Sequence, residues 1–208
     1  MNNNIKEKVI LILDFLEKNY RDAKCSLIYA KPHELLIATR LSAQCTDSKV
    51  NNVTKELFLK YKDIYSFSNA PVEEIKKIIN PCGLSNKKAS DIVNMSKILV
   101  SEFNSIIPND MEKLLKLPGV GRKTANLILG ELYEKPAIVV DTHLIRISNR
   151  LGLVNEKNPN KIEVSLKKII PKEESLKFCH RIIEFGREIC RAKVPFCDKC
   201  QLKNLCVK

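Results

Sequence analysis

Apolar residues recur at three- and four-residue intervals along most of this chain, the spacing of a helix with one buried face. In the first such segment, residues 5–20, one face carries Ile5, Val9, Ile12, Leu13 and Leu16. The same spacing predicts further helices over residues 33–41, 47–59, 85–103 and 172–189. The pattern therefore predicts helix after helix, with short connections.

Capping residues and prolines predict where the remaining helices begin and end. Asn69 and Pro71 predict a helix start, and Asn80, Pro81 and Gly83 predict its end. Asn109 with Glu112 resembles a capping box, in which two side chains satisfy the first backbone N–H groups. Two further helices are expected, one capped by Asp141 and running to about Leu151, and one opened by Asn160 with Glu163.

Strand signals are nearly absent from the sequence. The best candidate, residues 137–140, is a four-residue apolar run that does not differ in pattern from a buried connector. With 44% hydrophobic residues the chain has enough apolar surface for a core, and only 6 Gly and 9 Pro interrupt it. We predict an all-α fold.

Charge and cysteine content narrow the class of protein. Lys and Arg number 36 against 24 Asp and Glu, so a polyanionic partner is a natural but unspecific expectation. The N-terminal segment carries charges at Lys6, Glu7, Lys8 and Asp14, unlike a secretory signal or a membrane span, so we expect a cytoplasmic protein without membrane contact. In a reducing compartment, eight cysteines favour metal ligation or catalysis over disulfides.

Four of the cysteines lie close together near the end of the sequence. Cys190, Cys197, Cys200 and Cys206 have the spacing C-x6-C-x2-C-x5-C, which allows all four sulfurs to surround one metal centre. Spacing alone does not separate a zinc ion from an iron-sulfur cluster. The other four, Cys25, Cys45, Cys82 and Cys179, lack such spacing and are expected to be small core residues.

A glycine-containing turn, LPGVGRKTA at residues 117–125, lies between two helical patterns. Gly119 and Gly121 permit a tight turn and leave backbone N–H groups uncovered at the positive end of the next helix, where a phosphate fits. Lys123 in that first turn has two interpretations, a phosphate contact or a nucleophile. At a helix start, beside Arg122 and partly desolvated by a bound base, its neutral amine becomes more available.

A carboxylate follows the apolar run in Val140-Asp141-Thr142-His143. Asp141 is a common type of N-cap residue, and capping is its default role. A cap also holds a carboxylate rigidly, so a chemical role is compatible with capping.

Together these strings resemble the endonuclease III family of DNA glycosylases, as do LSAQCTD at residues 41–47 and GLSN at 83–86. The resemblance runs from about residue 30 to residue 206. It implies two helical domains, one of residues 24–136 with a helix-hairpin-helix at about 112–132, and one of residues 1–23 plus 137–208. It further implies DNA bound in a cleft between them, with Lys123 and Asp141 facing each other, and a monomeric protein.

The resemblance also implies roles for single residues. The four-cysteine tail is expected to hold a [4Fe-4S] cluster that presents a basic loop with Arg191 and Lys193 to the DNA backbone. Lys123 is implied as the nucleophile, and Asp141 as the carboxylate that assists attack at C1′. An enzyme that flips a nucleotide out of duplex DNA must fill the gap. Gln44 is implied to fill it and Leu84 to wedge into the base stack, whereas Cys45 stands where alanine is expected. The remaining expected DNA contacts are Gly119, Gly121, Arg122, Thr124 and His143.

The implied activity is that of a bifunctional glycosylase and abasic-site lyase of base excision repair, acting on oxidised pyrimidines in double-stranded DNA. One alternative is a monofunctional adenine glycosylase of the same superfamily. That branch lacks the lysine found here at position 123 and usually has an added C-terminal domain, whereas this sequence ends two residues after Cys206. The other alternative is a non-enzymatic DNA-binding iron-sulfur redox module, which leaves Lys123 and Asp141 without a shared purpose.

Overall fold

A computed structural model of the protein describes residues 3–207, and it is helical throughout, with no strand among those residues. The predicted all-α fold is confirmed. Eleven α-helices occur in this range: α1 Asn3–Asn19, α2 Pro32–Leu41, α3 Asp47–Lys60, α4 Ile64–Ser68, α5 Val72–Ile79, α6 Ser85–Phe103, α7 Met111–Leu115, α8 Arg122–Tyr133, α9 Thr142–Arg150, α10 Pro159–Ile169 and α11 Ser175–Glu188. Short 3-10 helices span Asn80–Cys82, Lys172–Glu174, Cys197–Lys199 and Lys203–Leu205.

The chain divides into two compact units. One unit is continuous, Ser26–Glu134, and contains α2 to α8. The other consists of the described residues up to Cys25 together with those from Lys135 onward, and contains α1 and α9 to α11.

In the continuous unit, α6 packs against α4 and α5, and α2 packs against α3, α6 and α8. Helix α2 is buried on nearly every side, as its run from Leu35 to Ala38 is fully buried. A helix that is apolar all round belongs in the centre of a core. Helix α2 is therefore the central helix of this unit.

In the second unit, α11 packs against α1 and α9. Phe178 and Phe185 of α11 are buried, as are Leu144 and Ile147 of α9. Rings of Phe15, Tyr20 and Phe185 meet edge to face, the arrangement that aromatic pairs prefer. The amphipathic patterns of α1, α9 and α11 thus share one core.

Three predicted helix starts are displaced by one or two residues. Asn69 does not cap α5 but ends α4, where its side-chain Nδ2 donates to the Tyr65 carbonyl at 2.9 Å, and Pro71 itself precedes α5. Helix α7 is capped by Asp110, not Asn109, because an N-cap oxygen must reach the N–H of the third helical residue, here Lys113 at 3.0 Å.

The start of α10 is likewise at Asn158 rather than Asn160. The Asn158 Oδ1 accepts from the backbone N–H groups of Asn160 and Lys161 at 2.9 and 3.3 Å. Pro159 occupies the first helical position, where its missing N–H costs nothing. By contrast Asp141 caps α9 as predicted, with Oδ1 accepting from the Leu144 N–H at 2.7 Å.

The apolar run 137–140 is an irregular, fully buried connector and not a strand. None of the helices in the described part of the chain has the length and apolarity that a membrane crossing requires. Of the four cysteines expected in the core, Cys82 and Cys179 are buried, but Cys25 and Cys45 are only half-buried. That part of the prediction was therefore right for two cysteines and wrong for two.

Candidate active site

The hairpin between α7 and α8 brings five of the predicted site residues together. Gly121 is the N-cap of α8, and no side chain among residues 3–207 caps this helix. Gly119, Gly121, Arg122 and Lys123 are all exposed, and Thr124 is half-buried. The first N–H groups of a twelve-residue helix therefore lie beside an exposed ammonium, an arrangement that attracts a phosphate.

The two glycines of the hairpin serve different purposes. Gly119 has φ +77°, and a Cβ there would lie 2.4 Å from Nε and 2.5 Å from Cδ of Arg40, and 2.9 Å from Oδ2 of Asp91. Gly121 has an ordinary φ of −101°, and a Cβ there would meet no atom within 4 Å. Glycine is required at 119 by the positive φ and by the Arg40 and Asp91 side chains beneath it. At 121 glycine keeps the space next to the first N–H groups of α8 open.

An ion pair lies directly beneath the hairpin. Arg40 of α2 donates to Oδ2 of Asp91 on α6 from Nε at 2.9 Å and from Nη2 at 2.8 Å. The side chains are 11% and 2% exposed, so this pair is shielded from water. Lys87 adds an ion pair to the other carboxylate oxygen of Asp91 at 3.1 Å. The pair holds α2 and α6 in register at the place where the hairpin rests on Arg40.

Gln44 and Leu84 are two of the five non-glycine residues with positive φ in the described part of the chain, and the other three are Asn104, Ser105 and Glu134. Gln44 has φ 54° and Leu84 has φ 51°, and both side chains are exposed. The left-handed conformation is unfavourable for residues with a Cβ, and such strain collects at functional positions. Leu84, 56% exposed, also presents an apolar side chain to water. The two residues expected to enter DNA are thus the strained, exposed residues of their turns.

The buried connector 137–140 places Asp141. Two of its backbone N–H groups donate to side chains of α11: Ala137 to the Ser175 hydroxyl at 3.1 Å and Val139 to the Cys179 sulfur at 3.2 Å. Burial raises the pKa of the Cys179 thiol to about 12, so it stays protonated and donates in turn to the Ser175 carbonyl at 3.2 Å. The Asp141 carboxylate is half-buried at the end of this fixed segment.

His143 is the second residue of α9 and lies against α11. Its Nδ1 is 3.2 Å from Nη2 of Arg146, which also donates to the carbonyls of Gly186 and Cys190. A Cβ at Gly186 would lie 2.6 Å from the His143 ring. Burial lowers the pKa of His143, with Arg146 and Arg187 acting in the same direction and Asp141 and Glu184 against it. A neutral, half-buried imidazole at pH 7 follows.

The four-cysteine tail surrounds one cavity of about 300 Å³, which Cys190, Cys197, Cys200 and Cys206 all line. Arg150 donates to the Cys190 sulfur at 3.3 Å, and the Cys206 sulfur donates to the Arg150 carbonyl at 3.1 Å. In the part of the chain that the structure describes, no three His, Cys, Asp or Glu side chains are placed to share a single metal ion. The four cysteines therefore line one cavity, but their sulfurs do not form a coordination shell for a single ion.

Exposed basic residues occupy the loop between the first two of these cysteines. Arg191 and Lys193 are exposed, and the Arg191 guanidinium stacks 4.5 Å from the centre of the Phe196 ring. Stacking on an aromatic face orders an arginine without neutralising its charge. The loop thus presents fixed positive charge to solvent.

Comparison with known proteins identifies the family to which the chain belongs. Residues 37–172 match the HhH-GPD superfamily base excision DNA repair protein family. Endonuclease III of Bacillus subtilis (strain 168) is 42% identical over 98% of this chain and 93% of its own length. The corresponding values for Endonuclease III of Synechocystis sp. are 44%, 97% and 92%. The chain belongs to the endonuclease III family. The structure of a trapped Endonuclease III-DNA covalent intermediate superposes with a TM-score of 0.93 at 44% identity, over 97% of this chain and 95% of that one.

Membership of the endonuclease III family makes the protein a DNA glycosylase and abasic-site lyase of base excision repair. Lys123 belongs to the continuous unit and Asp141 to the other. Sequence reasoning missed the residues that support these two, namely Arg40, Asp91, Ser175 and Cys179. The burial of Cys179 was expected from the sequence, but its hydrogen bond from the Val139 N–H became evident only from the fold.

Proposed function

We propose that this endonuclease III family member binds duplex DNA and removes oxidised pyrimidines with Lys123 as the nucleophile. The observation that carries the proposal is the start of α8, where an exposed lysine stands in the first turn of a helix whose N–H groups have no side-chain cap. A phosphate on those N–H groups positions a nucleotide next to the amine. Superposition on the solved Endonuclease III-DNA covalent intermediate supports the same interpretation.

The reaction proceeds through a covalent imine. The neutral amine of Lys123 attacks C1′, the bond from C1′ to the base breaks, and the base leaves with its electron pair and takes up a proton. Opening of the sugar ring breaks the C1′–O4′ bond and gives the Schiff base. Loss of a C2′ proton then expels the 3′ phosphate by β-elimination, which cuts the strand 3′ to the lesion. Water finally hydrolyses the imine and releases Lys123.

Asp141 stabilises the positive charge that develops on the sugar as the base leaves. A carboxylate fixed by an N-cap hydrogen bond and a buried connector needs little reorganisation during the reaction, which is the condition for effective electrostatic stabilisation. Gln44 and Leu84 occupy the gap that the flipped nucleotide leaves in the stack. Phosphates contact the N–H groups after Gly119 and Gly121, together with Arg122, Thr124 and His143, and the basic loop with Arg191 and Lys193.

The cysteine-lined cavity fits a [4Fe-4S] cluster held by Cys190, Cys197, Cys200 and Cys206. Four thiolates are the usual ligand set of such a cluster, and all four cysteines line the same cavity. When bound, the cluster supplies structural support to the loop that carries Arg191 and Lys193. The residues of the chain do the chemistry described above.

Borohydride trapping tests the nucleophile. Borohydride reduces the imine to a stable amine, so the wild-type protein is expected to become covalently joined to a duplex containing an abasic site. Lys123→Ala should not be trapped, whereas Lys116→Ala, which removes an exposed lysine before the hairpin, should be trapped as efficiently as wild type. Trapping of Lys123→Ala at the wild-type level would show that another amine is the nucleophile.

Asp141→Asn extends the same test, because asparagine is as good an N-cap as aspartate and only the charge is lost. Base release from a duplex carrying an oxidised pyrimidine should slow by about 100-fold, in the range of one lost electrostatic contact in a transition state. Cleavage of a duplex that already contains an abasic site should slow less, since no base has to leave. Equal slowing of both reactions would contradict the role given to Asp141.

A further inference from the structure

Lys88 of α6 is a charged residue in the middle of the core. It is 0% exposed, and its ammonium donates to two backbone carbonyls, those of Leu41 at 2.8 Å and Cys82 at 2.9 Å. Burial of an ammonium is costly, and lysine is seldom fully buried. An apolar side chain of similar length would fill this space but leave both carbonyls without this donor, so hydrogen bonding and not packing accounts for a lysine here.

Both acceptors of the Lys88 ammonium are the last carbonyls of helices. Leu41 is the final residue of α2, and Cys82 is the final residue of the 3-10 helix Asn80–Cys82. Carbonyls at a helix C-terminus lack partners within the helix and carry partial negative charge. One ammonium therefore satisfies two helix ends that lie 47 and 6 residues away from it in sequence.

The two left-handed residues follow within three residues of these carbonyls. Gln44, with φ 54°, comes three residues after Leu41, and Leu84, with φ 51°, comes two residues after Cys82. The backbone N–H of Lys88 also donates to the Leu84 carbonyl at 3.0 Å. The Lys88 Nζ thus binds the chain just before the Gly83-Leu84 turn and just before the Gln44 turn, and the Lys88 backbone N–H binds the carbonyl of Leu84 itself.

We propose that Lys88 is a positioning residue for lesion recognition, because its ammonium ties the Gln44 turn to the Leu84 turn and fixes both in the conformation that enters the duplex. Left-handed residues with a Cβ persist only where their surroundings over-determine the backbone. Hydrogen bonds from a charged donor to the carbonyls that begin each turn provide this constraint. The inference rests on the proposed function in one respect, that Gln44 and Leu84 enter DNA.

The test compares Lys88→Met with Lys97→Met. Methionine keeps the length of the side chain and removes the ammonium, while Lys97 is an exposed lysine of the same helix. The measured quantity is the ratio of Kd values for undamaged duplex and for a duplex with a tetrahydrofuran abasic-site analogue, at fixed salt. We expect the ratio to fall about tenfold in Lys88→Met, equivalent to ~1.4 kcal/mol, and to stay unchanged in Lys97→Met. A folded Lys88→Met with the wild-type ratio would overturn the proposal.

A double-mutant cycle separates positioning from a general loss of stability. In a background of Gln44→Ala with Leu84→Ala, Lys88→Met should cause no further loss of discrimination, since the residues it positions are gone. A tenfold loss that persists in this background would show that Lys88 acts elsewhere. If Lys88→Met does not fold, the same cycle is run with Lys88→Gln, which removes the charge and places its amide nitrogen one bond short of the ammonium position. A folded Lys88→Gln with the wild-type ratio would then overturn the proposal.

Borohydride trapping of Lys88→Met at saturating DNA distinguishes this inference from the proposed function. Lys88 does not contact the reacting atoms in the proposal, so trapping should proceed once the DNA is bound. Failure of wild type to be trapped would refute the role of Lys123 and leave the discrimination ratio to be judged by itself. Normal trapping with an unchanged ratio would refute only the role of Lys88.

Discussion

Substitution of the two hairpin glycines should separate stability from DNA binding. In Gly119→Ala the backbone must keep φ +77° with a Cβ present, which costs about 1–2 kcal/mol for an L-residue in the left-handed region. The new methyl group would also lie 2.4 Å from Nε of Arg40, so the Arg40 side chain has to move. Its ion pair with Asp91 is buried, and disruption of a buried pair costs about 3–5 kcal/mol.

The free energy of unfolding of Gly119→Ala should therefore fall by at least the backbone cost. If the ion pair breaks, it should fall by several kcal/mol more. For a chain of this size 1 kcal/mol corresponds to about 2–4 °C in Tm, so the backbone cost by itself predicts a decrease of roughly 2–8 °C. Thermal unfolding followed by circular dichroism measures it. Because the two units need not unfold together, the transition should be checked for a single step before a free energy is derived.

Gly121→Ala is the matched control in the same hairpin. Its φ is ordinary and its Cβ meets no atom of the described residues within 4 Å, so the loss of stability should be limited to the poorer N-capping by alanine, about 0.5–1 kcal/mol. The methyl group does, however, enter the space above the start of α8, so the affinity for duplex DNA should fall. The reasoning would be refuted if Gly119→Ala melted like wild type, or if Gly121→Ala lost more stability than Gly119→Ala and kept its DNA affinity.

Two further predictions concern a histidine and the cysteine tail. Burial lowers the pKa of His33, whose Nε2 is buried without a hydrogen-bond partner among the described residues; Lys31 acts in the same direction, and Glu34 and Asp63 oppose it. The unfolded chain then binds a proton that the folded chain resists, so stability falls as the pH drops from about 7.5 to about 5, and His33→Leu should show a smaller decrease in Tm over this interval. An equal decrease in both proteins would contradict this assignment. For the tail, iron and sulfide analysis should find a [4Fe-4S] cluster that Cys197→Ser loses and Cys25→Ser keeps, whereas stoichiometric zinc in the native protein would refute the cluster.

The sequence was sufficient to predict most helices because their patterns are strongly periodic. Residues 85–103 form α6 at the predicted bounds, and Asp141 caps α9 as expected. The five-residue helix α4 was missed, since it is too short for a helical period to show. Capping residues were misplaced at Asn69, Asn109 and Asn160 because neighbouring Asp, Asn and Pro residues supply equally good signals, and only the backbone decides which oxygen reaches the third N–H.

The supporting residues of the site were not predictable in the same way. Lys88 and Asp91 are charged residues in a helix, and the default expectation for such residues is exposure to solvent. Their partners Leu41 and Arg40 are 47 and 51 residues away, so no local pattern reveals the contact. The strain at Gln44 and Leu84 was equally hidden, because neither residue type favours the left-handed region.

Left-handed non-glycine residues occur at Asn104, Ser105 and Glu134 of the continuous unit as well, but the Leu84 turn combines such a residue with an exposed apolar side chain and a buried ammonium. Glycine at position 84 would relieve the left-handed backbone and remove an exposed apolar side chain from water, and an apolar residue at 88 would spare the burial of an ammonium. The first change favours the isolated fold, yet the chain has leucine at position 84. The second change would also remove the donor to the Leu41 and Cys82 carbonyls, so Lys88 is retained for its hydrogen bonds. Such unfavourable choices are expected where a side chain must be held in a fixed, exposed conformation before its partner arrives, because strain in the free protein reduces the reorganisation needed on binding. In the function proposed above, a base stack opened by a flipped nucleotide is such a partner for Leu84, and the Lys88 ammonium joins the helix ends that precede the Leu84 and Gln44 turns.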